Sequence, residues 1–222
     1  MSKVKVSDDL QLILKNFCTI NKSIVIEPGN VVSTLSVNKN ILAKATVAEE
    51  FSKQIAIYDL GIFLGGVSLF DDPIFDLTSN DYLTVTTKAG RSKSKYYYAD
   101  SDIIVKPPSK EIELPSVDVQ FELSVNDLTA LLNASSVYQV PDLCVYSEDG
   151  NINVCVKDKK NDTSNSFSVT VGETDDDDFC YCFKVENLRM IKGNYKVEIS
   201  KANVALFTNL DHDIKYWIAL EP

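Results

Sequence analysis

The sequence predicts an α+β fold of two similar domains, each with two short helices packed on antiparallel sheets. Three observations lead there. An amphipathic stretch near the N-terminus, residues 8–22, has a spacing that returns after residue 124. Many short runs alternate apolar and polar residues between turn residues, the pattern of half-buried strands. Near the middle, Val105-Lys106-Pro107-Pro108-Ser109-Lys110 places consecutive prolines where neither a helix interior nor a central strand tolerates them, so it reads as an extended linker. The domains are expected at 1–108 and 109–222. A chain of 222 residues holds two units of roughly 110 residues, an ordinary domain size.

In the first helix Leu10, Ile13, Leu14, Phe17 and Cys18 recur at i, i+3, i+4, i+7 and i+8 and share one face. The opposite stripe holds Gln11, Lys15, Thr19 and Lys22. Ser7 or Asp8 caps the start, Asp8 with Gln11 resembles a capping box, and Asp8 and Asp9 sit at the positive end of the helix dipole. Residues 23–38 give two β-rich runs broken by Pro28-Gly29, a hairpin signal. Ile41, Ala43, Ala45 and Val47 alternate as a strand. A shorter helix opens at Asp59 and closes at Gly65. Strands follow in IFDLTS, YLTVTTK and KYYYADSDI, with a turn at Ala89-Gly90-Arg91-Ser92.

Beyond the linker this order recurs. Val119–Leu123 alternates as a strand. Ser124 caps a helix whose Leu128, Leu131, Leu132 and Ser135 stand at the spacing of Leu10, Ile13, Leu14 and Phe17. Asp149-Gly150 joins two strands. The segment ENLRMIKG, expected as a short helix, occupies the place of the helix at Asp59, with Leu188 opposite Leu60 and Ile191 opposite Phe63. A repeat of this size is a duplicated domain rather than a solenoid.

With 22 basic and 32 acidic residues the net charge is −10, so the molecule as a whole repels nucleic acid and anionic membranes. Any nucleic-acid contact is confined to a locally basic surface. No apolar run nears the ~20 residues of a membrane span, and the N-terminus lacks the apolar core of a signal peptide. The five cysteines, odd in number and set in apolar periodic segments, read as reduced core residues of a cytosolic protein. There is no phosphate-binding glycine loop, nucleophile elbow or zinc-protease motif. His212 between Asp211 and Asp213 reads as a solvated turn, as does Asp175–Asp178, whose carboxylates lack the alternating spacing of a calcium loop. Cys180 and Cys182 without a CxxC do not make a zinc site. No catalytic residue, metal or cofactor is expected.

The basic residues are more informative. Lys15 and Lys22 are placed on the outer face of the first helix, and Arg189 and Lys192 on the matching side of the last short helix. A second group, Lys88, Arg91, Lys93 and Lys95, adjoins Tyr96, Tyr97 and Tyr98, which read as alternating positions of an edge strand.

LKNFCTIN in the first helix, AIYDLGIFLGGVSL around the second, GNYK, and the terminal WIALE resemble, in order and over nearly the whole chain, the DNA polymerase sliding clamps of T-even-type bacteriophages. The resemblance implies the DNA clamp fold, with two-domain subunits joined head to tail as a homotrimeric ring around double-stranded DNA. It implies a non-enzymatic processivity factor that tethers the replicative DNA polymerase and is placed by a clamp loader ATPase complex. Such clamps can also assist late transcription, and the expected location is the cytoplasm of the infected bacterial host. Lys15 falls on the family's channel lysine, and Lys22, Arg189 and Lys192 join it by face and position. The third helix departs from the family, with Asn133 and Ser136 where arginines are carried. Clamp topology makes edge strands of two segments, so Tyr96, Tyr97 and Tyr98 are expected to pair with Phe167, Val169 and Val171 of a neighbour. Ile103, Ile104 and Val105, with Trp217, Ile218 and Leu220, are the expected pocket for a partner peptide. Two alternatives come from other classes. One is a structural or assembly protein of the same duplicated fold, the other a single-stranded DNA-binding protein that stacks bases on Tyr96–Tyr98.

Overall fold

Repetition in the sequence becomes repetition of elements. The computed structural model describes residues 2–108, 110, 112–176 and 178–221, and the chain divides into two units, Met1–Lys110 and Glu111–Pro222. The first unit runs β1 (Lys3–Lys5), α1 (Asp8–Ile20), β2 (Ile24–Ile26), β3 (Gly29–Leu35), β4 (Ile41–Phe51), β5 (Ile55–Ile57), α2 (Leu60–Val67), β6 (Ile74–Asp76), β7 (Tyr82–Thr86) and β8 (Lys93–Tyr97). The second runs β9 (Val119–Leu123), α3 (Val125–Tyr138), β10 (Asp142–Glu148), β11 (Asn151–Lys157), β12 (Phe167–Glu173), β13 (Cys180–Lys184), a 3-10 turn (Val185–Asn187), β14 (Tyr195–Ser200), β15 (Val204–Asn209) and β16 (Ile214–Ala219). Strand for strand the order is the same, and the 3-10 turn stands where the first unit has α2.

Pairing repeats as well. In the first unit β1 pairs β6, β6 pairs β7 and β7 pairs β8, all antiparallel. In the second, β9, β14, β15 and β16 follow the same rule. The remaining strands of the second unit form one sheet in the order β12-β11-β10-β13. Their counterparts in the first form two ladders, β3 with β4 and β2 with β5. Here the structure corrects the expected hairpin at Pro28-Gly29. Gly29, at φ +116°, carries the chain from one ladder to another, and β2 and β3 do not pair. At Asp149-Gly150, by contrast, two successive residues at φ 52° and 75° give the twist a tight hairpin needs, and β10 pairs β11 in register.

The helices form where spacing and caps agree. α1 buries Leu10, Ile13, Leu14, Phe17 and Ile20, each worth about 1.5–3 kcal/mol of apolar burial. Ser7 is its cap, the hydroxyl accepting from the Leu10 N–H at 3.0 Å. The expected box between Asp8 and Gln11 gives way to a tertiary one, because the Ser7 N–H donates to Glu49 Oε1 of β4 at 2.7 Å. In α2, Asp59 Oδ1 accepts from the Ile62 N–H at 2.8 Å. In α3, Ser124 Oγ accepts from the Asp127 N–H at 3.1 Å and donates to its carboxylate at 2.6 Å. Leu128, Leu131 and Ser135 are buried below that helix.

Two further expectations are corrected. The segment ENLRMIKG forms only the 3-10 turn Val185–Asn187, not a helix. The backbone of Ile191 is claimed elsewhere: its N–H donates to the Tyr216 hydroxyl at 3.2 Å and its carbonyl accepts from Tyr195 at 2.5 Å. The cysteines are not all reduced core residues. Cys144 and Cys182, directly opposed on β10 and β13, form a disulfide, and Cys180 is exposed. Alternation placed these residues on strands but did not show which strands lie side by side.

Candidate nucleic-acid interface and assembly edges

Lys15 stands exposed in the middle of α1, opposite the buried face. Lys22 is exposed too, but α1 ends at Ile20 and Asn21 is its extended C-cap, so Lys22 is not on the helix face as expected. Its carbonyl accepts from the Leu60 N–H at 2.7 Å and ties the exit of α1 to the entry of α2. Cys18 lies within electrostatic reach: burial and then Asp59 push its thiol up from the usual range, and Lys22 pulls it down. Arg189 and Lys192 are also exposed, on the loop after the 3-10 turn rather than on a helix. Arg189 Nε donates to the Glu186 carbonyl at 2.8 Å. No lysine or arginine lies on α2 or α3. α3 exposes Asn133 and Ser136, and α2 exposes Ile62.

β8 is an edge strand of β1-β6-β7-β8, and β12 an edge strand of β12-β11-β10-β13. The three tyrosines at β8 have different surroundings. Tyr97 is exposed and packs edge-on against Tyr82, centroids 5.5 Å apart. Tyr96 turns inward. Its ring meets Phe63 at 5.1 Å, and its hydroxyl donates to the Asp59 carbonyl and accepts from the Asp59 N–H, both at 3.2 Å. Its side chain therefore anchors α2 and offers no stacking platform for a base. Tyr98 is half-buried with Lys53 5.3 Å from its ring, and burial pushes its hydroxyl up to about 12. On β12, Phe167, Val169 and Val171 are half-buried, while Ser168 and Thr170 point outward.

The expected peptide pocket is largely corrected. Ile104 packs in a core cluster with Val25 and Ala56. Trp217, Ile218 and Leu220 are buried as well, since β16 sits beside β15 and its apolar residues meet core. Of the six residues, Ile103 is exposed and Val105 half-buried.

One polar group was not foreseen. Asp142 is fully buried, yet its carboxylate accepts from Lys184 at 2.6 Å and from the Lys159 N–H at 3.0 Å. The hydrogen bond to Asp142 pushes the Lys184 ammonium up from its usual value. Both charges are thus paired, as burial requires, and the loop leading to β12 is pinned at its start. The signal was a lone Asp where a core strand begins, after Pro141.

Comparison with known proteins settles the family. Residues 7–106 match the family model of the DNA polymerase processivity factor, and residues 120–222 match that of the gp45 sliding clamp, C terminal. The chain is 33% identical to the sliding clamp of Vibrio phage KVP40 over 94% of its own length and 95% of that protein's. It is 30% identical to the sliding clamp of Enterobacteria phage T4 over 98% and 97%. The chain belongs to the sliding-clamp family. Among solved structures, the clamp resembles proliferating cellular nuclear antigen from Entamoeba histolytica, with a TM-score of 0.73 and 12% identity, covering 100% of this chain and 98% of that one. The β chain of DNA polymerase III from Streptococcus pneumoniae gives 0.67 at 14% identity, covering 100% of the clamp and 65% of the larger chain. At such low identity these two establish the fold alone. Sliding clamps are non-catalytic processivity factors.

Proposed function

We propose that the clamp closes into a homotrimeric ring on double-stranded DNA and tethers the replicative DNA polymerase of its phage inside the infected host. A clamp loader ATPase places it, and it also assists late transcription. Its two domains, 1–108 and 109–222, supply helices to the channel, with Lys15, Lys22, Arg189 and Lys192 toward the phosphates. The observation that carries the reading is the exposed Lys15 on a helix whose other face is core, in a chain of net charge −10. Lysine meeting phosphate across water attracts without reading sequence, which sliding requires. Tyr97 and Tyr98, with Phe167, Val169 and Val171, form the subunit contact through strand backbones, and Tyr96 supports it from behind.

Retention on DNA tests this directly. The loaded protein should stay on circular duplex and run off linear duplex, and its equilibrium mass should be three times 24.7 kDa. Equal loss from both substrates, or a stable monomer, would overturn it. Lys15→Glu should reduce loading with the trimer intact.

A further inference from the structure

Three cysteine sulfurs converge on one face of the β12-β11-β10-β13 sheet. The β10–β13 register sets Cys144 opposite Cys182 and Tyr146 opposite Cys180. Cys180 and Cys182 are two residues apart on β13, so their side chains leave the same face. The Sγ atoms of Cys144, Cys180 and Cys182 all lie within 4.8 Å of one another, and those of Cys180 and Cys182 are 4.0 Å apart. Among the described residues, no other group of three histidine, cysteine or carboxylate side chains gathers in this way. Burial falls across the group. Cys144 is fully buried and Cys182 nearly so, with Cys155 of β11 beside them and half-buried Tyr146 packed against the cluster. Cys180 is exposed. Away from β10, the Glu221 N–H donates to the Cys182 carbonyl at 2.8 Å, which docks the segment after β16 on the same strand.

The disulfide accounts for two of these sulfurs and gives Cys180 no role. We propose that the reduced chain binds one zinc ion here, through the thiolates of Cys144, Cys180 and Cys182. Reduction opens the Cys144–Cys182 bond: a dithiol gives up two electrons and two protons and leaves as its own disulfide. Zinc then displaces three protons, one from each thiol, and a water completes its four ligands. Zinc–thiolate bonds of about 2.3 Å in a tetrahedron place sulfurs about 3.8 Å apart. Cys180 and Cys182 already stand near that spacing, so Cys144, freed from its bond, is the sulfur that must turn. Thiolate suits zinc, and the exposed side of Cys180 supplies both the entry path and room for the water. The ion clasps β10 to β13 in the reduced chain, as the disulfide does in the oxidised one. Spacing alone hides such a site, because Cys144 joins the group through strand register rather than through a motif.

Zinc titration of the full chain, reduced by a phosphine and kept free of air, tests the assignment. Competition with a chromophoric chelator should report one ion bound per chain, with release of about three protons. Cobalt(II) in its place should show a sulfur-to-metal charge-transfer band and the intense visible bands of a tetrahedral site. Cys180→Ser should weaken zinc binding by about a hundredfold or more, since a group that merely supports a ligand is worth about tenfold to a hundredfold. Cys144→Ser should do the same, while Cys18→Ser, in the first unit, should leave binding unchanged. Cys180 is exposed, so its replacement spares the core, and far-ultraviolet circular dichroism checks that each variant is folded. A reduced chain that takes up no zinc, or one whose zinc is indifferent to Cys180→Ser, would overturn the three-thiolate site.

Discussion

The two units share one element order but fill the slot before the last three strands differently. In the first unit it holds α2, eight residues capped by Asp59. In the second it holds the 3-10 turn Val185–Asn187 and a loop. What the two slots share is a tyrosine from the final strand of the unit. Tyr96 of β8 exchanges hydrogen bonds with the backbone of Asp59, and Tyr216 of β16 accepts from the Ile191 N–H. The fold thus demands an anchored backbone at that place, and a helix is one of two ways to provide it. A second contrast lies in the helix that leads each unit. Phe17 fills the position in α1 that Ser135 takes in α3, where the hydroxyl donates to the Val140 carbonyl at 2.6 Å. A third is covalent, because Cys144–Cys182 ties β10 to β13 and the first unit has no such bond among its described residues.

The largest effect should come from breaking the leading helix. Phe17→Ala should cost about 3–5 kcal/mol by urea denaturation, and Ser135→Ala about 1 kcal/mol, since one empties core and the other removes a hydrogen bond. Equal costs would mean that the Ser135 hydroxyl holds α3 as firmly as the Phe17 ring holds α1. Next comes the disulfide, whose cysteines are 38 residues apart in sequence. Its reduction should remove about 2–4 kcal/mol from the second unit, read as faster amide exchange in α3 with α1 unchanged. Tyr216→Phe should cost about 1–3 kcal/mol by leaving the Ile191 N–H buried and unpaired, and exchange should speed at 188–193 first. The smallest effect concerns two carboxylates. Hydrogen bonds from Thr78 hold Asp76 below its usual range, and one from Ser116 does the same for Asp118. A depressed folded-state value gives stability that is present above the unfolded value, near 3.9, and is lost as pH falls through the folded one. Thr78→Val should therefore raise the Asp76 midpoint in an NMR titration and leave Asp118 alone. An unmoved Asp76 would assign its shift to the backbone N–H of residue 78, then Lys3 and Lys93, instead.

Local signals carried much of the fold. The caps at Ser7, Asp59 and Ser124, the alternation of β4 and β9, and the turn at Asp149-Gly150 all act within a few residues, and each stands where the sequence puts it. What the sequence could not display were partners distant along the chain. Nothing near Pro28-Gly29 says that β2 will pair β5. Glu49 looks like an exposed strand residue until β4 brings it to Ser7. Cys144 and Cys182 become neighbours only through the β10–β13 register. The candidate surface divides in the same way. Lys15 was legible because helix spacing fixes its face. Lys22, Arg189 and Lys192 were assigned to helices that end or never form, and Trp217, Ile218 and Leu220 proved to be core because burial depends on the packing of the whole strand.

α3 has a further consequence for the proposed ring. It carries amides and hydroxyls, Asn133 and Ser136 among them, and no cation. A wall of that kind displaces few condensed counterions from a passing duplex, so its hold changes little as the medium becomes more or less saline. What pull such a ring exerts then falls to Lys15 on α1 and the exposed cations beyond the helices, while the α3 stretch of wall encloses the duplex with little axial friction.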